Sequence, residues 1–148
     1  MILNYMTNQK ILLVEDSDDD AVLMYRAFRK QKIGTEIVRA KNGFQALSFL
    51  FGDEQTPKIT PALVILDVKL PKLSGLDVLK SIRANQATKG LPVIMLTTSD
   101  HQEDIFRAYD LGTNSYIRKP IEFDKFVDAV GQIGLYWLEL NEPLYKAI

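Results

Sequence analysis

Three acidic side chains follow two short apolar segments, and residues of this type could together bind a divalent cation. Glu15 and Asp16 come directly after the first segment, and Asp67 comes directly after the third. Three carboxylates close together raise one another's pKa unless a positive charge compensates them. Mg²⁺ suits such a site because it prefers oxygen ligands, keeps several waters and pairs with phosphate. We therefore expect these three acids to bind Mg²⁺, with the backbone carbonyl of Lys69 as a further ligand.

Asp67 is also a suitable nucleophile, because an aspartate carboxylate can form a covalent aspartyl phosphate. The oxygens of an incoming phosphoryl group would need charge compensation from the metal ion, from the ammonium of Lys119, and from the Thr97 hydroxyl with a nearby backbone N–H. Positioning and charge compensation supply most of the catalysis in phosphoryl transfer. We therefore expect Asp67 to be a phosphoacceptor assisted by Lys119 and Thr97, with no general base.

Five apolar segments rich in branched residues predict the strands that would position these side chains. They are Ile11–Val14, Glu36–Ala40, Leu63–Leu66, Val93–Leu96 and Ser115–Ile117. Helical stretches alternate with them, and such repeats imply a parallel sheet with right-handed crossovers and helices on both faces. The functional crevice of such a sheet lies at the carboxyl ends of its strands. The three acids, Thr97 and Lys119 all fall at that edge.

The helical stretches carry apolar residues at helical spacing and recognisable end signals. The first is expected to begin at the three consecutive aspartates Asp18–Asp20, taken as cap and solvated surface, and to turn Val22, Tyr25 and Phe28 inward. Gly112 is expected to end the fourth helix in a left-handed conformation. The last and longest helix is predicted from about Glu122 to Leu140.

The composition indicates one ordinary soluble globular domain. The chain has 148 residues, of which 47% are hydrophobic and 25% charged, a balance typical of globular proteins. A net charge of −1 gives no general attraction to nucleic acid. The absence of cysteine excludes disulfides and thiol catalysis and favours a reducing compartment. No apolar run approaches the ~20 residues that span a bilayer, so we expect a cytoplasmic protein with no nucleic-acid or membrane partner.

Four motifs occur in order along the chain, and together they resemble a bacterial response-regulator receiver domain over roughly residues 9 to 135. The motifs are Leu12–Asp16, Leu66–Pro71 with Ser74-Gly75, Leu96–Thr98 and Tyr116–Pro120. The resemblance implies a flavodoxin-like (βα)5 doubly wound sheet of strand order 2-1-3-4-5, and phosphotransfer from a sensor histidine kinase. It also implies a cis peptide bond between Lys119 and Pro120. Thr97 and Tyr116 match the residue pair that reports phosphorylation to a distant surface in this family.

The end of the chain supports a finer resemblance and a division of the sequence. Leu96–Ser99, Asp104–Leu111 and Tyr136–Leu138 are similar to the small single-domain regulators paired with cyanobacterial phytochrome kinases. We assign residues 1–8 to an N-terminal extension, 9–140 to the receiver domain and 141–148 to a short tail. The resemblance and the surplus of apolar residues on the last helix together predict a homodimer. The expected interface residues are Phe123, Phe126, Val127, Val130 and Trp137.

Other functions fit the residues less well. A phosphatase of the aspartyl-phosphate class needs a second acid two residues after the nucleophile, where Lys69 stands, so turnover of an external substrate is not expected. A flavin or nucleotide carrier needs a phosphate-binding loop after the first strand, where Glu15 and Asp16 would repel phosphate. Because only eight residues follow Leu140, we do not expect a DNA-binding output. A phosphorylation-independent interaction module with the same fold remains the alternative.

Overall fold

The computed structural model describes residues 9–145 and contains one five-stranded parallel sheet. Its strands are β1 (Lys10–Val14), β2 (Glu36–Ala40), β3 (Leu63–Leu66), β4 (Val93–Thr97) and β5 (Ser115–Arg118). They lie in the order β2-β1-β3-β4-β5. The five predicted strands and the predicted flavodoxin-like order are therefore confirmed.

Five α-helices connect and follow the strands. They are α1 (Asp18–Lys30), α2 (Gly43–Phe51), α3 (Gly75–Ala84), α4 (Gln102–Asp110) and α5 (Phe123–Gly134). Gly112 follows α4 with φ of 98°, which confirms the left-handed conformation expected at that position.

The last predicted helix is not α-helical to its end. Residues Leu135–Leu140 form a π-helical segment, and the N–H of Asn141 donates to the carbonyl of Tyr136, five residues earlier, at 2.7 Å. The apolar pattern did not distinguish the two forms, because an α-turn and a π-turn differ by about one residue in hydrogen-bond spacing.

The sheet separates two hydrophobic clusters. Helices α2, α3 and α4 cover one face, against alternate strand residues such as Leu12 and Leu66. Helices α1 and α5 cover the other face, against Ile11 and Ile65. The central strands β1, β3 and β4 are buried on both faces, which explains their continuously apolar sequences.

The orientation of α1 differs from the prediction. Its buried residues are Ala21, Met24, Ala27 and Phe28, whereas Val22 is 52% exposed. Residues spaced three and four apart share one face of a helix, so a helix that presents Ala21 and Met24 to the sheet turns Val22 toward solvent.

None of the helices within residues 9–145 combines the length and the apolar character that crossing a membrane requires.

Candidate functional site

The predicted acidic residues meet at the carboxyl edge of the sheet. Glu15 and Asp16 follow β1, Asp67 follows β3, and one carboxylate oxygen from each lies within 4.8 Å of the others. Glu15 and Asp67 are buried and Asp16 is exposed. The cluster is thus open to solvent on the Asp16 side, and oxygen donors at this spacing suit a small divalent cation.

Lys119 is the cation that faces this cluster. It follows β5, and its Nζ donates to Glu15 Oε1 at 2.5 Å, to Asp20 Oδ2 at 3.1 Å and to Asp67 Oδ2 at 3.4 Å. Burial by itself lowers the pKa of Lys119, but the hydrogen bond to Glu15 and the charges of Asp67, Glu15 and Asp20 outweigh it and raise that pKa. These contacts therefore favour the charged ammonium form of Lys119 beside the carboxylate of Asp67.

Asp20 is a residue of this site that the sequence analysis missed. It was assigned to cap and solvated surface, yet its carboxylate forms an ion pair with Lys119. Asp20 lies in the first turn of α1, where its N–H donates to the hydroxyl oxygen of the N-cap residue Ser17 at 3.2 Å. The spacing along α1 gave no signal for this contact, because it depends on how the helix is placed against the loop after β5.

The pKa of Glu15 is raised. Its burial is the main cause, and the negative charge of Asp67 adds to the shift, while Lys119 opposes it. The N–H of Ser17 also donates to Glu15 Oε2 at 3.2 Å. One ammonium and two backbone N–H groups, those of Ser17 and Lys69, do not fully compensate the negative charge of these acids, so the cluster retains an attraction for a further positive charge.

The connection between β3 and α3 holds Asp67 in place. The N–H of Asp67 donates to the carbonyl of Val14 at 3.2 Å, and the N–H of Lys69 donates to Asp67 Oδ1 at 3.3 Å. The N–H of Gly75 donates to the carbonyl of Val68 at 2.8 Å. A Cβ at Gly75 would lie 1.8 Å from the carbonyl oxygen of Asp67. This close approach explains why a residue without a Cβ stands at position 75. The role of the Lys69 carbonyl as a metal ligand stays a prediction.

Thr97 and Tyr116 are linked through Ser99. Thr97 is fully buried, and its Oγ1 accepts from the N–H of Ser99 at 3.2 Å. The Tyr116 hydroxyl donates to the carbonyl of Ser99 at 2.8 Å. Burial, with the charges of nearby aspartates, raises the pKa of Tyr116. The two predicted switch residues therefore contact the same loop residue, and their switching role stays a prediction.

The predicted cis peptide bond between Lys119 and Pro120 is wrong for this structure. No cis peptide bond occurs within residues 9–145. The two isomers of a bond before proline differ by only about 0.5–1 kcal/mol, so the Lys-Pro motif does not by itself determine which isomer is present.

Three of the predicted interface residues are not at the surface. Phe126, Val127 and Val130 are at most 8% exposed and belong to the core between α5, α1 and the sheet. Phe123 and Trp137 are half-buried against the same cluster. This part of the prediction was wrong because the apolar residues of α5 are used within the chain. The exposed apolar residues of α4 and the π-helical segment are Phe106, Tyr109, Leu135, Tyr136 and Leu140.

A cavity of about 400 Å³ lies beside Lys119. Its polar lining includes Asp20 and Thr98, and its apolar lining includes Leu23, Pro120 and Phe126. The site therefore borders both a charged cluster and an apolar recess.

The sequence profile of the response regulator receiver domain matches residues 11–131 of this chain. The chain therefore belongs to the response regulator receiver family. The fold and the acidic edge described above are consistent with this family, and the predicted identification is confirmed.

Two curated relatives match most of the chain. The response regulator Rcp1 of Synechocystis sp. is 36% identical over 132 residues, which cover 87% of this chain and 88% of Rcp1. The probable methanogenesis regulatory protein FilR2 of Methanothrix harundinacea is 38% identical over 131 residues, which cover 88% of this chain and 84% of FilR2.

Two solved structures extend the comparison. The phosphorylated cyanobacterial phytochrome response regulator RcpA superposes with a TM-score of 0.86 at 33% identity, covering 93% of this chain and 99% of RcpA. The Mn²⁺-bound form of Rcp1 superposes with a TM-score of 0.83 at 34% identity, covering 93% of this chain and 99% of Rcp1. The chain is thus similar to a phosphorylated phytochrome response regulator and to a response regulator bound to Mn²⁺.

Proposed function

We propose that this chain is a single-domain response regulator that accepts a phosphoryl group from a histidine kinase on Asp67. The observation that carries the proposal is the position of Asp67, buried between two other carboxylates and the ammonium of Lys119. The residues fit a divalent cation, because the acids around Lys119 outnumber its single positive charge. Glu15, Asp16 and Asp67 would hold Mg²⁺, which when bound neutralises charge on the phosphoryl oxygens.

Asp67, Lys119 and Thr97 have different roles in the proposed phosphoryl transfer. An Asp67 carboxylate oxygen attacks phosphorus, and the bond between phosphorus and the kinase imidazole nitrogen breaks, with its electron pair leaving on that nitrogen. The Lys119 ammonium donates to one phosphoryl oxygen, and the Thr97 hydroxyl donates to another. Thr97 can do so because its oxygen accepts a bond from Ser99, so its own hydrogen remains available. Hydrolysis of the aspartyl phosphate would return the protein to its starting state.

Output through protein contacts or onward phosphotransfer is part of the proposal. The similarity to Rcp1 and RcpA supports a kinase of the phytochrome type as the donor. Lys69 occupies the position where an acid would serve an aspartyl-phosphate phosphatase, which supports an acceptor role rather than turnover of external substrates. We place this reaction in the cytoplasm, in keeping with a chain that contains no cysteine.

The proposal includes a homodimer through the edge made by α4, β5 and α5. The residues that we propose as contacts are Phe106, Tyr109, Leu135 and Tyr136, which are between 48% and 72% exposed. The support for this part of the proposal is their exposure, because large exposed apolar side chains commonly mark an interface.

Intact-protein mass spectrometry tests the acceptor function. The full chain is incubated with acetyl phosphate, with and without Mg²⁺, and we expect a Mg²⁺-dependent gain of one base-labile phosphoryl group. Asp67→Asn should abolish the gain, and the matched control Asp128→Asn, an exposed aspartate of α5, should keep it. Labelling that survives in Asp67→Asn would overturn the assignment of the acceptor. No labelling of the wild type would favour the phosphorylation-independent interaction module instead.

A further inference from the structure

Arg39 connects β2 to the loop that carries two of the three acids. Its Nε donates to the backbone carbonyl of Glu15 at 3.0 Å, and its Nη1 donates to Asp18 Oδ1 at 2.8 Å. The side chain is only 14% exposed. One guanidinium therefore holds both ends of the segment between β1 and α1, and Asp16 lies between the two held residues.

The neighbouring cation Lys41 makes no comparable contact. Its Nζ lies 4.0 Å from the same Asp18 oxygen, and its side chain is 63% exposed. An exposed pair at this distance is screened by water and contributes little. The planar guanidinium of Arg39, by contrast, presents several donors in a fixed geometry, which a single ammonium does not reproduce.

The arrangement around Arg39 suits positioning better than stability alone. Its Nη2 is buried without a hydrogen-bond partner within residues 9–145, and an unmade bond of this kind is unfavourable. Apart from Arg39, the N–H of Glu15 also ties the loop to β2, by donating to the carbonyl of Ala40 at 3.0 Å. Arg39 thus adds side-chain contacts at the point where the regular strand pairing ends.

We propose that Arg39 is a positioning residue for the divalent cation, acting through the backbone of the β1–α1 loop. By holding the Glu15 carbonyl and the Asp18 carboxylate, it orients Glu15 and Asp16 toward Asp67. Residues that orient metal ligands without touching the metal commonly change its affinity by 10–100-fold, an order-of-magnitude range. The inference rests on the proposed function, because it concerns the same metal site.

Charge and positioning predict opposite changes in metal affinity. A positive charge close to a cation site repels the cation, so removal of Arg39 would strengthen Mg²⁺ binding if charge were its only effect. Loss of a positioning contact would weaken binding because the loop acids would sample other orientations. The sign of the change therefore separates the two roles.

Isothermal titration calorimetry of the full-length protein with Mg²⁺ tests the inference, and Mn²⁺ electron paramagnetic resonance gives a second direct measure of binding. Arg39→Met removes the charge and the hydrogen-bond donors. Arg39→Lys keeps the charge but replaces the planar guanidinium with a single ammonium. We expect both to bind Mg²⁺ about tenfold more weakly than the wild type. Lys41→Met, the matched control, should bind as the wild type does or slightly more tightly.

The outcomes distinguish this inference from the proposed function. Wild-type affinity in Arg39→Lys, or tighter binding in Arg39→Met, would overturn the positioning role while leaving the acceptor function intact. If Arg39→Met does not fold, as judged by circular dichroism, Arg39→Lys decides the question alone. A wild-type protein that binds no Mg²⁺ and takes no phosphoryl group would overturn the proposed function and this inference with it.

Discussion

At the scale of single residues, Lys119 makes the largest number of ionic contacts at the site. Its side chain is 10% exposed, and its ammonium forms ion pairs with Glu15, Asp20 and Asp67. Burial of a charge is unfavourable unless partners compensate it. If the ammonium of Lys119 were removed, the buried carboxylates of Glu15 and Asp67 would in turn be left uncompensated. Lys119 therefore stabilises the metal-free protein as well as serving the proposed transfer.

We expect Lys119→Met to lower the free energy of unfolding of the metal-free protein by about 3 kcal/mol, because buried carboxylates lose their compensating charge. Mg²⁺ should recover part of this loss in the variant, since the metal replaces the missing positive charge. Urea denaturation in the presence of chelator and then of Mg²⁺ measures both effects.

Asp20→Asn provides the comparison. Its carboxylate is 40% exposed, so its pair with Lys119 should be worth less than about 1 kcal/mol. Equal losses in the two variants, or a Lys119→Met protein more stable than the wild type, would contradict this account of the site.

At the scale of elements, the tight connection between β3 and α3 positions the proposed acceptor. Ser74 caps α3 and exchanges hydrogen bonds with Asp77 in a capping box. Gly75 lets the first turn of this helix approach the backbone of Asp67. The helix start and the acceptor are therefore one structural unit.

Gly75→Ala should lower the free energy of unfolding by about 3 kcal/mol, because the added methyl group meets backbone that cannot move without displacing Asp67. Phosphorylation by acetyl phosphate should slow in the same variant. Chemical denaturation and mass spectrometry measure the two effects.

Gly34→Ala is the matched control for that substitution. No atom lies within 4 Å of a Cβ built there, and the backbone of Gly34 is outside the left-handed region. We expect this variant to be unchanged or more stable by up to about 1 kcal/mol, through reduced entropy of the unfolded chain. Similar behaviour of both alanine variants would show that the close approach at Gly75 is unimportant.

At the scale of the whole molecule, the chain continues to pack on the receiver domain beyond residue 140, where the domain was predicted to end. The Tyr145 side chain packs against one core cluster, and its hydroxyl accepts from the N–H of Gly90 at 3.2 Å and donates to the carbonyl of Gln86 at 3.4 Å. The predicted tail is thus in contact with the α3–β4 loop as far as residue 145. Residues 1–8 and 146–148 lie outside the described part of the chain.

The proposed dimer is tested at the same scale. Leu135→Glu and Tyr136→Glu place a charge on the exposed edge, and each should lower the mass measured by sedimentation velocity toward that of one chain. Phe44→Glu is the matched control, because Phe44 is 56% exposed but lies on α2, which contacts β2 at the opposite edge of the sheet from β5. A monomeric wild type, or an unchanged mass in both edge variants, would remove the dimer from the proposal.

The sequence pattern by itself determined the strands and the edge at which Glu15, Asp16, Asp67, Thr97 and Lys119 meet. These features follow from short-range information, because apolar runs mark buried parallel strands and the residues after such strands share one edge. The family resemblance supplied the strand order and the proposed roles. The choice of the three acids as proposed metal ligands needed no knowledge of side-chain packing.

Only the tertiary structure decided which other side chains reach that edge. The contacts of Asp20 with Lys119 and of Arg39 with the Glu15 carbonyl depend on the rotation of α1 and on where β2 ends beside the loop. The burial of Phe126 and Val130 likewise depends on how α5 seats against α1. These outcomes were not readable from spacing, because a helix pattern defines a face but not the neighbour that the face meets.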